Sequence, residues 1–465
     1  MENRDWNAAV DAFIEQHRED ILRDVTRLVA VPSVETAAEP GAPYGPGVRA
    51  ALTEALAIAA ELGLETGEDA DRIGWADVPG AEADKQLAVI SHVDVVPEGS
   101  GWDADPYVLR RREGWLLGRG IVDDKGPAVL SLYALKFLKE QAGALRYPVR
   151  ALLGCDEETN FSDVAWYLSH HAAPTFCFTP DAVFPLCNGE KGLYEGRFVS
   201  PVLEGGDILE FEGGVASNSV ADRASALVKA DLAKLTASEG VTLEQEGAYV
   251  RVKGTGIAGH ASLPAGTVNA IGLVVDCLLS GGVGTPAERA WLELLQRLHS
   301  STAGAGVGIA AADGLFDPLT VIGGVLRMKD GRMTQTIDCR YTTDITGEQI
   351  TAALRAEAEK AGAELVVTKA DKPFYIAPDA PCVRALLDAY NEVTGDDGKP
   401  FVKGAATYAR YFPLAVSFGP SLAHEELPDF VGGLHAANEG MREELLFDSL
   451  KIYILSLLKL QEVEF

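Results

Sequence analysis

Basic residues are scarce in this chain: 40 Lys and Arg stand against 69 Asp and Glu, a formal net charge of −29. A phosphate backbone needs a basic footprint, so nucleic acid is not the expected partner. Long apolar runs are missing as well. No segment approaches the ~20 residues of a membrane span, which argues against a membrane partner. The charged opening, residues 1–20, lacks the apolar core and small-residue cleavage site of a secretion signal. A cytoplasmic address is the expectation. The six cysteines (Cys155, Cys177, Cys187, Cys277, Cys339 and Cys382) are scattered, with no C-x-x-C pair. That spacing argues against a disulfide framework or a zinc knuckle and for reduced structural thiols.

What is present is the balance of a globular protein, 47% apolar and 23% charged. At 465 residues the chain exceeds one hydrophobic core, so two domains or one large insert are expected. Val10, Phe13, Ile14, Ile21, Leu22, Val25 and Leu28 recur at helical spacing, and Pro32 ends that helix. A second helix is expected over 48–62, then a hairpin and a buried strand over 87–90. A helix opens at Lys125-Gly126-Pro127, where a first-turn proline costs no hydrogen bond. A strand at 149–153, a helix at 164–168 and a strand at 175–178 follow.

Strands alternating with helices predict an α/β sheet covered by helices, whose reactive residues gather beyond the carboxyl ends of its strands. From 191 to about 375 the texture turns to alternating patterns such as Ala248-Tyr249-Val250-Arg251-Val252. These predict an inserted α+β domain with antiparallel strands, helices at 221–235 and 347–361, and a surface loop at 303–314. The expected division is 1–190 with 377–465 for the first domain and 191–376 for the insert. The helix at 445–460 is expected to pack back on the first domain.

Polar clusters sit where the strands end. His92 and Asp94, two apart, face the same way on a strand, and a ligating His commonly gives its second N–H to a carboxylate. As a pair alone they are equally a chance of strand-end composition. Asp123 and Asp124 in Gly118-Arg119-Gly120-Ile121-Val122-Asp123-Asp124-Lys125 read as an ordinary N-cap or as ligands, but not as a phosphate loop, where donors are needed. Glu157 and Glu158 are either exposed acids at a helix start or a buried pair that demands a cation. Asp181 and His435 say little by themselves. Together, carboxylates and imidazoles suit zinc or manganese.

The runs S-H-V-D-V-V-P, G-R-G-I-V-D-D-K-G-P, D-E-E-T-N and T-P-D-A-V-F-P, in this order, resemble the M20 metallopeptidase family. Within it the chain is most similar to the PepV-type dipeptidases, a branch that is Xaa-His dipeptidase- or carnosinase-like. The resemblance runs from Pro32-Ser33-Val34 to the His435 loop. It implies a mixed-sheet catalytic domain with an inserted lid, and two divalent metal ions, zinc first, with manganese or cobalt as alternatives. It further implies that Asp123 bridges the ions, His92 and Asp181 complete one site, and Glu158 and His435 the other. Glu157 would be the general base and Asp94 the orienter of His92. Asp124 would share the strained peptide after the bridging residue.

In the insert, Gly259-His260-Ala261-Ser262-Leu263-Pro264 with Asn269-Ala270 resembles the lid motif whose His steadies the oxyanion. Asn218 resembles a substrate contact, and Arg340 the arginine that grips a substrate carboxylate, a role its planar fork suits. The plain alternative for Arg340 is a cross-strand ion pair. One departure stands out: Gly404-Ala405-Ala406 replaces a glycine run whose backbone approaches substrate. The large insert implies a monomer.

These readings imply hydrolysis of dipeptides or short peptides, with Glu157 moving the proton of an activated water. Two rivals are an N-acyl-amino-acid deacylase on the same scaffold and a binding protein that has lost activity.

Overall fold

The computed structural model describes residues 5–203 and 205–465; residues 1–4 of the charged opening lie outside the described residues. The chain divides into two compact units. One holds residues 1–189, 375–401 and 407–465, the other 190–374 and 402–406. The expected division placed 402–406 with the first unit.

In the first unit, a mixed sheet runs in the order Glu65–Asp69, Ile73–Val78, Val149–Gly154, Leu87–His92, Phe176–Thr179, Ala415–Ser417. The first two strands form an antiparallel hairpin. Leu87–His92 lies parallel to both Val149–Gly154 and Phe176–Thr179. All six residues of Leu87–His92 are buried, as expected of a parallel strand covered on both faces. Helices Trp6–Val29, Lys125–Gln141 and Glu443–Leu460 pack on one another, and their apolar faces join the sheet in one core. Parallel pairing sends the carboxyl ends of three strands, at His92, Gly154 and Thr179, to the same edge of the sheet. The chemistry sits there.

The second unit is an antiparallel sheet in the order Val241–Glu246, Tyr249–Thr255, Arg223–Val228, Ile208–Gly213, Leu326–Lys329, Arg332–Tyr341, Gly192–Val199, Glu364–Asp371. Helix Ala270–Ser280 packs chiefly on strands Arg223–Val228 and Tyr249–Thr255, helix Pro286–His299 packs on that helix, and Gly347–Lys360 packs on the edge strand. The unit has its own core.

The helix expected over 221–235 is a strand, Arg223–Val228, followed by a 3-10 turn at Leu232–Lys234. Ala224, Ala226 and Val228 are buried and alternate with more exposed neighbours, a period of two that outweighs the helix propensity of alanine. Two helices of this unit went unread. Pro286–His299 is opened by a capping box, with Thr285 accepting from Glu288 N and Glu288 from Thr285 N. No helix among the described residues is long and apolar enough to cross a membrane.

Candidate functional site

Two groups of side chains in the first unit have the spacing of metal ligands: His92, Asp123 and Asp181, and Asp123, Glu158 and His435. Within each group the ligand atoms lie within 4.8 Å of one another. Asp123 belongs to both. Its Oδ1 is 2.9 Å from His92 Nε2 and its Oδ2 is 2.9 Å from His435 Nε2. His435 Nε2 also lies 3.3 Å from Glu158 Oε2.

Each residue arrives by a different element. His92 is the last residue of its strand. Glu157 and Glu158 follow Val149–Gly154, Asp181 follows Phe176–Thr179, and Asp123 precedes helix Lys125–Gln141. His435 comes from a loop where both it and Asn438 take positive φ, 60° and 58°. The Asp123–Asp124 peptide is cis, and Asp124 Oδ2 accepts from His92 N at 3.1 Å. His92 Nδ1 donates to the Asp94 carbonyl at 2.9 Å and lies 3.4 Å from Asp94 Oδ1. Asp94 Oδ2 meanwhile accepts from Glu158 N at 3.1 Å. Asp94 therefore contacts the His92 ring chiefly through its backbone, and its carboxylate ties in the neighbouring turn.

The donor set fits a metal on the evidence of its own atoms. With Nδ1 donating to Asp94, a neutral His92 turns the lone pair of Nε2 toward a carboxylate oxygen. Lone pair against lone pair at 2.9 Å is repulsive unless a cation or a proton lies between. His92 Nε2, Asp123 Oδ1 and Glu158 Oε1 are all buried atoms without a hydrogen-bond partner, an arrangement that calls for an ion.

The acid–base balance says the same. Burial and the Asp181 charge push the Glu157 carboxyl well above the carboxylate range. Burial and Asp123 push Glu158 up to about 7. Burial would lower His92, but the adjacent Asp123 and Asp94 carboxylates hold it well above the ordinary imidazole value. Asp123 and Glu158 raise His435 to about 10. Burial would also raise Asp123, yet His435 and His92 keep it below the usual range. Clustered buried acids demand a positive charge among them, either a proton on an imidazole or a metal ion.

The second unit brings together the other residues that the sequence singled out. Ser219 bridges His260, and Ala261 N donates to Asn218 O at 2.8 Å, so Asn218 and His260 lie on paired segments. Both are exposed. His260 Nδ1 is 2.7 Å from Ser262 Oγ. Partial desolvation of the ring, with a contribution from Arg340, lowers its pKa and favours the neutral form. Arg340 is buried and pairs with Asp338 on its own strand, Nε to Oδ1 at 2.7 Å and Nη2 to Oδ2 at 3.0 Å. The ion pair is thus along the strand, not across it. Arg340 Nη1 donates to Gly404 O at 3.2 Å. A guanidinium has five N–H groups, so one N–H on each terminal nitrogen is left for a ligand. A Cβ at Gly404 would stand 2.9 Å from Ser262 Cβ, which places residue 404 against the His260 loop.

The sequence reading missed three acids. Asp156 caps the turn after its strand, accepting from Asn160 N at 3.1 Å and Ser162 N at 2.9 Å. Asp163, fully buried, accepts from Cys155 N at 2.5 Å and Asp156 N at 3.1 Å, and from the Tyr408 hydroxyl. Glu439 brackets the Asp123 loop. The signal for Glu439 was its place four residues after His435.

A sheet edge where acids and imidazoles gather around one shared carboxylate has the donors of a metal centre, and the sequence comparison gives its class, a metallopeptidase, a hydrolase acting on peptide bonds. The chain belongs to peptidase family M20/M25/M40, whose sequence pattern matches residues 88–459. It is 31% identical over 425 residues, 87% of this chain and 90% of the other, to the Bacillus subtilis (strain 168) protein named "Putative dipeptidase YtjP". Over 462 residues, 95% of this chain and 97% of the other, it is 29% identical to "Putative dipeptidase SAUSA300_1697" of Staphylococcus aureus (strain USA300). Among solved structures, human carnosine dipeptidase 1 shares the fold with a TM-score of 0.61 at 14% identity, covering 99% of this chain and 100% of that one. The Saccharomyces cerevisiae dipeptidase Dug1p does so at 0.60 and 14%, covering 99% of both.

Proposed function

We propose that this peptidase is a two-metal dipeptidase of the PepV-type, Xaa-His or carnosinase-like branch, active on dipeptides and other short peptides. The observation that carries the reading is the Asp123 carboxylate, each oxygen 2.9 Å from an imidazole nitrogen of a different element. His92 and Asp181 would hold one ion and Glu158 and His435 the other, with Asp123 shared. Zinc is the first candidate, and manganese or cobalt suit the same donors. When bound, such a pair lowers the pKa of a water and polarises the scissile carbonyl.

The chain's own residues do the rest. Glu157 takes the water's proton as the carbonyl is attacked and passes it to the leaving amine, and its raised pKa suits an acid that must give the proton back. Asp94 orients His92. A neutral His260 donates to the oxyanion, with Asn218 as a further polar contact. Arg340, steadied by Asp338, offers its two remaining N–H groups to the substrate carboxylate beside the Gly404 backbone. We take residues 1–190 with 377–465 as the catalytic domain and 191–376 as the substrate-binding lid. We take the protein as a cytoplasmic monomer, which its buried cysteines, none in a disulfide among the described residues, support for the compartment.

The test pairs Glu157→Gln with metal analysis. Wild-type protein should bind two ions per chain and cleave dipeptides faster than N-acetyl amino acids. Glu157→Gln should keep both ions and lose turnover by ~10²-fold or more. Undiminished hydrolysis in that variant would remove Glu157 as the base. A preference for N-acetyl amino acids would favour the deacylase reading.

A further inference from the structure

We infer that Glu439 is a positioning residue that fixes the Asp123 carboxylate in the geometry needed to bind metal; this rests on the metal-site reading proposed above. Residues 118–124 form an irregular segment that is buried throughout. Buried backbone N–H groups outside helices and strands must find acceptors elsewhere. Here one side chain supplies three of them. Glu439 Oε1 accepts from Val122 N at 2.9 Å and from Asp123 N at 3.2 Å. Its Oε2 accepts from Gly120 N at 3.2 Å and from Arg119 Nη1 at 2.7 Å. The Glu439 carbonyl takes a fifth donor, Gly118 N, at 3.0 Å. Both members of the Arg119–Glu439 pair are buried, at 1% and 0% exposure, so the charge is compensated where water cannot screen it.

The other end of this arrangement is equally constrained. Gly432 N donates to Asn438 O at 2.7 Å, and Asn438 Oδ1 accepts from Asp103 N at 3.0 Å and Arg110 Nη2 at 3.2 Å. A Cβ at Gly432 would stand 2.0 Å from Ala437 O. One short loop therefore presents His435 to Asp123 Oδ2 and, four residues on, clamps the backbone of Asp123 itself. The distance between the two ligands is set by a single rigid piece of chain.

Glu439→Gln makes the test sharp. Each carboxylate oxygen already takes two donors, so whichever way the amide turns, its NH₂ meets two N–H groups and the loop must shift. Chelator competition with Zn²⁺ and with Co²⁺, the Co²⁺ absorption spectrum, and the melting temperature of the metal-free protein are measured together. The expected result is metal affinity ~10–100-fold weaker, the scale of losing a group that orients a ligand, with an altered Co²⁺ spectrum. The metal-free variant should keep a native circular dichroism spectrum.

Wild-type affinity and spectrum in Glu439→Gln, with only a lower melting temperature, would overturn the inference and leave the metal site standing. Failure of the wild-type protein to bind either ion would overturn both. Should Glu439→Gln not fold, Arg119→Lys perturbs the same carboxylate while sparing its backbone donors. A several-fold loss of affinity is expected there, and wild-type affinity would overturn the inference.

Discussion

Asp163 touches nothing that reacts, yet its removal should damage the site. Its Oδ2 is the common acceptor for Cys155 N, Asp156 N and the Tyr408 hydroxyl, and it is fully buried. Asp163→Ala leaves four buried donors without their acceptor, these three and Val164 N on Oδ1. At ~1–3 kcal/mol for each, and less than additive because they share one hole, the loss is ~3–5 kcal/mol. Asp163→Asn is different: an amide oxygen at the Oδ2 position keeps all three, and the NH₂ displaces only the contact of Oδ1 with Val164 N. Its cost should stay within ~1 kcal/mol.

Burial raises the Asp163 carboxyl to about 7, above its unfolded value near 4. Between those values the folded state binds more protons, so the contribution of Asp163 to stability is full below pH ~4 and is lost as pH rises toward 7. The Asn variant has no such slope. Urea unfolding of the three proteins at pH 6 and pH 8 reads the difference. Asp163→Ala should also lose peptidase activity, because the turn it holds carries Glu157 and Glu158. A penalty below ~1 kcal/mol for Ala, or an Asn variant as damaged as Ala, would refute the reasoning.

Glu288 is a second buried acceptor, taking Ile208 N at 2.9 Å, Asp207 N at 3.0 Å and Thr285 N at 2.8 Å; Glu288→Ala should destabilise the second unit by ~3–4 kcal/mol in urea, and Gln by clearly less. Burial lowers His299 to about 4 despite the nearby Gln335. The unfolded chain then holds the extra proton between pH ~6.5 and ~4, so the second unit should lose ~1–3 kcal/mol on acidification across that window, a slope that His299→Gln removes. Zn²⁺ at 100 times its dissociation constant should stabilise the metal-free protein by ~2.7 kcal/mol against urea, and a chelator should reverse the gain.

Much of the first unit was legible because its signals are local. A short apolar run ending in His92 reads as a buried strand, and Pro127 marks a helix start. What the sequence could not convey is strand order. Val149–Gly154 pairs between Ile73–Val78 and Leu87–His92, and that insertion brings Glu158 beside Asp123. In the second unit the error at 221–235 came from alanines, which favour helices when isolated but were placed in a strand by their neighbours' packing. Thr285-Pro286-Ala287-Glu288, by contrast, carries a capping signature that was readable and was overlooked.

The harder ambiguity lay among the acids, which all look alike in sequence. The structure sorts them by what their oxygens face. Asp156, Asp163 and Glu439 accept from backbone N–H groups and shape turns. Asp94 and Asp124 each give one oxygen to an N–H that ties the ends of two elements together. Asp123 and Glu158 turn oxygens toward imidazole nitrogens, while a buried oxygen without a hydrogen-bond partner remains on each of Asp94, Asp123, Asp124 and Glu158. Oxygens that face imidazole nitrogens at ligand spacing are the ones placed to coordinate a cation. A carboxylate whose lone pairs are taken by rigid backbone donors is electrostatically settled, whereas one that faces other acids and neutral rings is stable only with a positive charge among them. The acids that build the turns and those that face the imidazoles are therefore separate sets, and the first set fixes the elements that carry the second.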